Sequence, residues 1–244
     1  MKEVNYKQKE FFELYAGLLY FQIQNFWNLT VNLGRTKQRM DDLNKRHIEE
    51  IKDNPDMPLT FFLHGIMQNY HSFLLSTVNW FKKRGLIIIP IGYDFRQDLA
   101  VSAAYVSTQI KALLKKSCAD KVNLIGVSYG GLISRYYSEY LNGASDIDKL
   151  ITVCTPYDIV PKTDIGYKIH RLIGGHPKRD NIYLEQMAET NSVKNHLAIH
   201  ALNDRIIKPK KMRCPGVHEI WVKGGHHPSS HHPERLELIL DYLK

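Results

Sequence analysis

The stretch Val122-Asn123-Leu124-Ile125-Gly126-Val127-Ser128-Tyr129-Gly130-Gly131 decides how this chain is read. Its first four residues form an apolar, strand-like run. After Ser128 the apolar side chains Tyr129, Leu132, Ile133, Tyr136, Tyr137, Tyr140 and Leu141 recur at helical spacing. Between the two lies G-x-S-x-G, in the strand–turn–helix context that this motif requires. A serine on so sharp a turn takes strained backbone angles, and its neighbours two residues away must be small for the chain to close. The turn lifts the hydroxyl above the sheet edge. The following helix points its positive end at any negative charge that develops there. Ser128 is therefore the expected nucleophile.

Working outward, short apolar runs at 59–64, 86–91, 122–127, 150–154, 197–202 and 218–222 alternate with helical patterns such as 98–115 and 129–141. Strands alternating with helices predict βαβ units and an α/β fold. The sheet should be mostly parallel, of about six strands, with helices on both faces. Residues 155–196 break the alternation with Pro156, Pro161, Gly174, Gly175 and Pro177, and read as a partly helical, lid-like insertion. Residues 1–52 read as two helical segments, 5–30 and 36–52, ended by Asp53-Asn54-Pro55-Asp56. The expected organisation is a helical extension over 1–56 and an α/β domain over 57–244.

A nucleophilic serine needs a base and an acid that orients it. In this strand order the acid should follow a late strand and the histidine the last one. Asp204 follows the run 197–202, and His226 follows 218–222, so the order is Ser128, Asp204, His226. For the acid, Asp158 also follows a strand but lies in the insertion, while Asp146 and Asp148 precede one. For the base, His227, His231 and His232 compete with His226. That histidine cluster has no cysteine or carboxylate partners at metal-site spacing, so a metal is not expected. His64-Gly65-Ile66 follows the first strong strand and suits an oxyanion loop. The backbone N–H groups of Ile66 and Tyr129 are the expected donors.

These residues resemble the α/β-hydrolase superfamily, and within it the small serine lipases and lipase-like esterases. Leu124 to Tyr137 is similar to the family's LIGHSMGGL-x-x-R-Y-Y segment, with Val127 and Tyr129 in place of His and Met. His64-Gly65-Ile66 resembles its HG-type oxyanion loop. Val153-Cys154-Thr155-Pro156-Tyr157 resembles its GTP-H segment, with Cys for Gly and Tyr for His. The spacing from His226 to Glu234 at the start of the last helix also matches, which favours His226 over His227. The resemblance covers residues 59–244 and leaves 1–52 and the sequence of 155–196 unmatched. It implies a serine hydrolase of carboxylic esters, of lipid or long-chain acyl type, working through an acyl-enzyme without cofactor or metal. An acyltransferase with the same triad, or a non-catalytic hydrolase-fold binding protein, would share these motifs.

Bulk properties fit that class. The chain has 244 residues, 43% hydrophobic and 24% charged, which excludes disorder, collagen and coiled coil as its main character. Cys118, Cys154 and Cys214 are too few and too scattered for a disulfide scaffold and read as reduced thiols. The net charge is +8. Residues 59–130 hold 8 basic and 3 acidic side chains and residues 196–244 hold 8 and 5, while the other segments balance. No basic run is interleaved with aromatics, so nucleic acid is not an expected partner. Residues 11–33 are aromatic-rich but too polar for a comfortable membrane span, and no cleavage site stands out. The expected compartment is the cytoplasm. Peripheral membrane contact through residues 11–33 or the Lys208–Arg213 rim is the alternative to a purely soluble life.

Overall fold

The computed structural model describes residues 33–53, 58–66, 72–117, 119–226 and 233–244. The expected helix over 5–30 lies outside them. Residues 1–43 and 44–244 form two compact units, and nearly all described structure belongs to the second. In chain order the elements are α1 (Leu33–Lys52), β1 (Leu59–Leu63), α2 (Ser72–Lys82), β2 (Ile88–Ile91), α3 (Leu99–Ser117), β3 (Val122–Val127) and α4 (Tyr129–Tyr140). They continue as β4 (Ile147–Val153), α5 (Ile165–Leu172), α6 (Pro177–Met187), β5 (His196–Ala201), β6 (His218–Val222) and α7 (Pro233–Leu243).

The six strands form one sheet in the order β2-β1-β3-β4-β5-β6, and every neighbouring pair is parallel. Every residue of β1, β2, β3 and β5 is buried. This is what a parallel sheet covered on both faces demands of its side chains. Phe61, Leu124, Ile125, Ile151 and Ile199 are fully buried, and each contributes about 1.5–3 kcal/mol of burial free energy. The sheet is thus a firm platform for whatever stands on its edge.

The two edge strands are protected differently. β2 contains Pro90, which cannot donate to a neighbour and so suits an edge. The C-terminal part of α1 covers it: Asn44 Nδ2 donates to the Pro90 carbonyl at 3.0 Å, and His47 Nδ1 lies 3.2 Å from the Ile88 carbonyl. β6, at the other edge, is only half-buried until Val222. α7 closes the domain, and Lys149 of β4 donates to the carbonyls of Tyr242 and Leu243 at its end.

The order of connection reverses at β1, between β2 and β3. In open parallel sheets the crevice beyond the strands' carboxyl ends at such a reversal is where ligands bind. The loops after β1, β3, β5 and β6 all leave from that edge. The insertion 155–196 is partly helical, as expected, and supplies α5 and α6.

Candidate active site

The turn after β3 is built by close approach. A Cβ on Gly126 would lie 2.6 Å from Gly131 Cα and 2.6 Å from Ser134 Oγ. One on Gly130 would lie 2.3 Å from the Leu63 carbonyl oxygen. Both glycines are sterically required, the first to close the turn and the second to let α4 abut the end of β1. Ser128 between them has φ 52 and ψ −114, a strained combination for an L-residue. Its N–H donates to the Val153 carbonyl at 2.7 Å, and its carbonyl accepts from Thr155 Oγ1 at 3.1 Å. The end of β4 therefore holds the elbow from beside it.

Three side chains expected from sequence meet here. Ser128 Oγ is 2.9 Å from His226 Nε2, and His226 Nδ1 is 2.7 Å from Asp204 Oδ2. They come from the loops after β3, β6 and β5. Register explains the meeting: Ala201 of β5 pairs with Val222 of β6, and Asn203 N–H then donates to the Gly224 carbonyl at 3.2 Å. Asp204 is anchored on its other side, where Oδ1 accepts from the N–H groups of Ile206 and Ile207 at 2.9 and 2.8 Å. Arg235 of α7 donates to the Gly225 carbonyl at 2.6 Å and steadies the loop carrying His226. The competing His227, His231 and His232 lie outside the described residues. Of the other acids, Asp158 instead pairs with Lys211 at 2.5 Å, and Asp146 accepts from Tyr137.

Ile66 and Tyr129 flank Ser128 on one cavity of about 50 Å³ that opens to solvent. Its wall is mostly apolar: Leu132, Val160, Tyr167, Leu184, Ile206 and Ile207 line it, with Pro156 and Pro177. The polar exceptions are Asn181, His170 and Asp180. Asp180 Oδ1 accepts from the Tyr129 hydroxyl at 3.4 Å, and Oδ2 stands 3.2 Å from His170 Nδ1. Burial pushes the Asp180 carboxyl up to about 8 and the His170 imidazole down to about 4. Both directions favour a neutral pair with the proton on Asp180. Under β1, His64 is buried and stacked on Tyr93 at 4.4 Å, and burial lowers it to about 4, so it too is neutral.

Sequence reasoning missed Asp180, His170 and Cys154. No local motif marks the first two, because only the fold of 155–196 brings them to the cavity. Cys154 was visible as the substitution in the Thr-Pro segment. It has φ 49, is fully buried, and hydrogen-bonds Asp204 with its side chain. Burial pushes its thiol up to about 12. The rim from Lys208 to Arg213 also proves partly committed. Lys208 pairs with Asp164 at 2.7 Å and Lys211 with Asp158, which ties the insertion to the loop after β5. Among the described residues no helix is long and apolar enough to cross a membrane.

Residues 60–200 match the family model described as palmitoyl protein thioesterase. The chain belongs to the palmitoyl protein thioesterase family. The family match includes Ser128 and ends before Asp204 and His226. Membership makes the chain an ester-cleaving hydrolase in the broad sense. Solved structures agree on the α/β-hydrolase fold. A mature lipase from Bacillus licheniformis is similar at TM-score 0.61 and 14% identity, covering 77% of this chain and 93% of that one. An esterase from Pyrococcus furiosus is similar at TM-score 0.57 and 15% identity, covering 78% and 83%. An α/β-hydrolase enzyme from a lagoon-sediment metagenome is similar at TM-score 0.52 and 16% identity, covering 76% and 90%. No curated protein matches by sequence.

Proposed function

We propose that this chain hydrolyses acyl esters or thioesters with an apolar acyl group, through an acyl-enzyme on Ser128. The observation that carries the reading is the hydrogen-bonded chain Ser128–His226–Asp204 at the mouth of an apolar cavity. His226 Nε2 takes the serine proton as Oγ attacks the acyl carbonyl. The same nitrogen then protonates the departing alcohol or thiol, and water repeats the sequence to release the acid. Asp204, which accepts from two backbone N–H groups, fixes the proton on Nδ1 and stabilises the imidazolium. The N–H groups of Ile66 and Tyr129 receive the oxyanion, each worth roughly 2.7–4 kcal/mol in comparable sites.

The apolar wall supports a hydrocarbon acyl group over a charged one, since an unpaired charge there would lose its hydration. The family name supports a thioester as leaving half. Peripheral contact with an anionic membrane belongs to the same proposal, because a lipid-derived chain would be delivered there. Rim cations such as Lys210 would meet its headgroups.

The test is a panel of oxygen esters and thioesters from short to long acyl chains, with Ser128→Ala as the reference. Turnover is expected to rise with chain length up to the cavity's capacity. Labelling by a fluorophosphonate should be lost in Ser128→Ala, whose kcat should fall by about 10⁶. Labelling that survives this substitution refutes the assignment.

A further inference from the structure

Beneath the proposed triad lies a second arrangement of the same atoms. A donor atom each of Cys154, Asp204 and His226 falls within 4.8 Å of the other two. Cys154 and Asp204 are buried and the His226 side chain is 11% exposed, so the set has one solvent-facing member. Cys154 also sits where an ordinary residue is costly. Its φ of 49 is in the left-handed region, at a strand end where the resembling Gly-Thr-Pro segment carries glycine. Packing alone does not require a thiol at that place. Its side chain is aimed at the Asp204 carboxylate.

We propose that Cys154, Asp204 and His226 form an inhibitory site for a borderline-soft divalent cation, of which Zn²⁺ is the type. The proposal rests on the triad reading above for its effect on turnover, but not for the binding itself. Thiolate, imidazole and carboxylate are the donor types that tetrahedral zinc takes, with a fourth position left to water. Zinc needs bonds of about 2.0–2.3 Å, so Asp204 and His226 must part somewhat and Cys154 close in. Charge favours the exchange. A dication with one thiolate and one carboxylate is neutral overall, as a buried site requires. Mg²⁺ and Ca²⁺ want six or more oxygen ligands and fit poorly.

The proton balance explains inhibition. Without metal, the thiol and Nδ1 each hold a proton, and Nε2 offers its lone pair to Ser128. On binding, sulfur and Nδ1 each form a bond to the metal. One proton leaves to solvent and the other reappears on Nε2. His226 then presents N–H to Ser128 and cannot act as base. Binding should therefore strengthen with pH as one proton is released.

The experiment pairs two readouts on the whole chain. Zn²⁺ inhibition of ester turnover is measured for the native protein, Cys154→Gly and Cys154→Ser, each against its own metal-free rate, with Mg²⁺ as control. Co²⁺ is added in parallel, and thiolate-to-cobalt charge-transfer absorbance is followed, also in Ser128→Ala. We expect chelator-reversible inhibition by Zn²⁺ and none by Mg²⁺. The inhibition constant should rise about 100-fold or more in both Cys154 variants, since loss of even an outer partner costs 10–100-fold. The cobalt band should appear in the native protein and Ser128→Ala and vanish in Cys154→Ser. Glycine accepts the backbone angle at 154, so that variant keeps the test clear of misfolding. Equal inhibition in all three, or a cobalt band that survives Cys154→Ser, overturns the proposal. If no ester is turned over, the triad reading fails, while the cobalt band still decides the site.

Discussion

Two aspartate–histidine pairs stand on either side of the same turn, and they are held in different ways. Asp204 and His226 are 2.7 Å apart, and Asp204 also receives two backbone N–H groups. Asp180 and His170 are 3.2 Å apart, and among the described residues the aspartate's other oxygen has only a 3.4 Å contact with the Tyr129 hydroxyl. Both aspartates are buried. What differs is the number and quality of donors facing the carboxylate. Hydrogen bonds donated to a carboxylate favour its charged form. One left in an apolar wall keeps its proton, and Asp180 is pushed up to about 8. Residue identity therefore does not assign a catalytic pair. The donors behind the acid do.

The comparison breaks most sharply under one substitution made twice. Asp204→Asn should leave the fold intact but reverse the tautomer preference of His226, lowering kcat about 10⁴-fold. Asp180→Asn replaces a neutral acid by a neutral amide that still accepts from Tyr129. Its cost should be about one hydrogen bond, near 1 kcal/mol and under tenfold in kcat/KM. Steady-state kinetics of the two variants, with melting temperatures, make the measurement. Similar losses at both positions would mean that Asp180 is ionised and functions as a second acid.

A smaller effect is expected in stability against pH. Asp180 has a raised folded value, so its stabilising contribution is complete below about 4 and is lost by the time pH passes about 8. His170 is lowered to about 4, so its contribution is present above 6.5 and lost as pH falls through 4. The two oppose each other between pH 4 and 6.5. Between 6.5 and 8 Asp180 acts alone, and the native protein should lose stability there. Asp180→Asn should flatten that interval. Thermal melts at half-unit steps of pH for both proteins read this directly.

How much of this was legible in the sequence follows from how local each feature is. The six strands and the elbow were legible because burial on both faces writes continuous apolar runs, and Gly126 is demanded by contacts a few residues along the chain, although the contact that demands Gly130 is with the distant Leu63. Asp204 and His226 were legible from strand order, since each stands just past the end of its own strand. The neutral pair was not. Asp180 reads as an ordinary first-turn acid of α6, and His170 as a cation at the end of α5. Only the packing of these helices over Tyr129 removes both from water. Cys154 was half legible. The sequence exposed the replacement of glycine, but not the positive φ or the carboxylate beside it.

The finest test of the contrast is Tyr129→Phe. Among the described residues the hydroxyl is the one donor to Asp180 Oδ1, at a long 3.4 Å, and it opposes the upward push of burial. Removing it should lift Asp180 further, so the interval of stability loss seen in melts should extend above pH 8. The cost in stability at neutral pH should be no more than about 1 kcal/mol, because the lost bond is long and the partner is already neutral. Turnover should fall only slightly, since the backbone N–H proposed for the oxyanion is untouched. A large loss of kcat with an unchanged melting profile would mean that the hydroxyl, not the amide, serves the reaction. The second pair would then belong to the chemistry rather than to the wall.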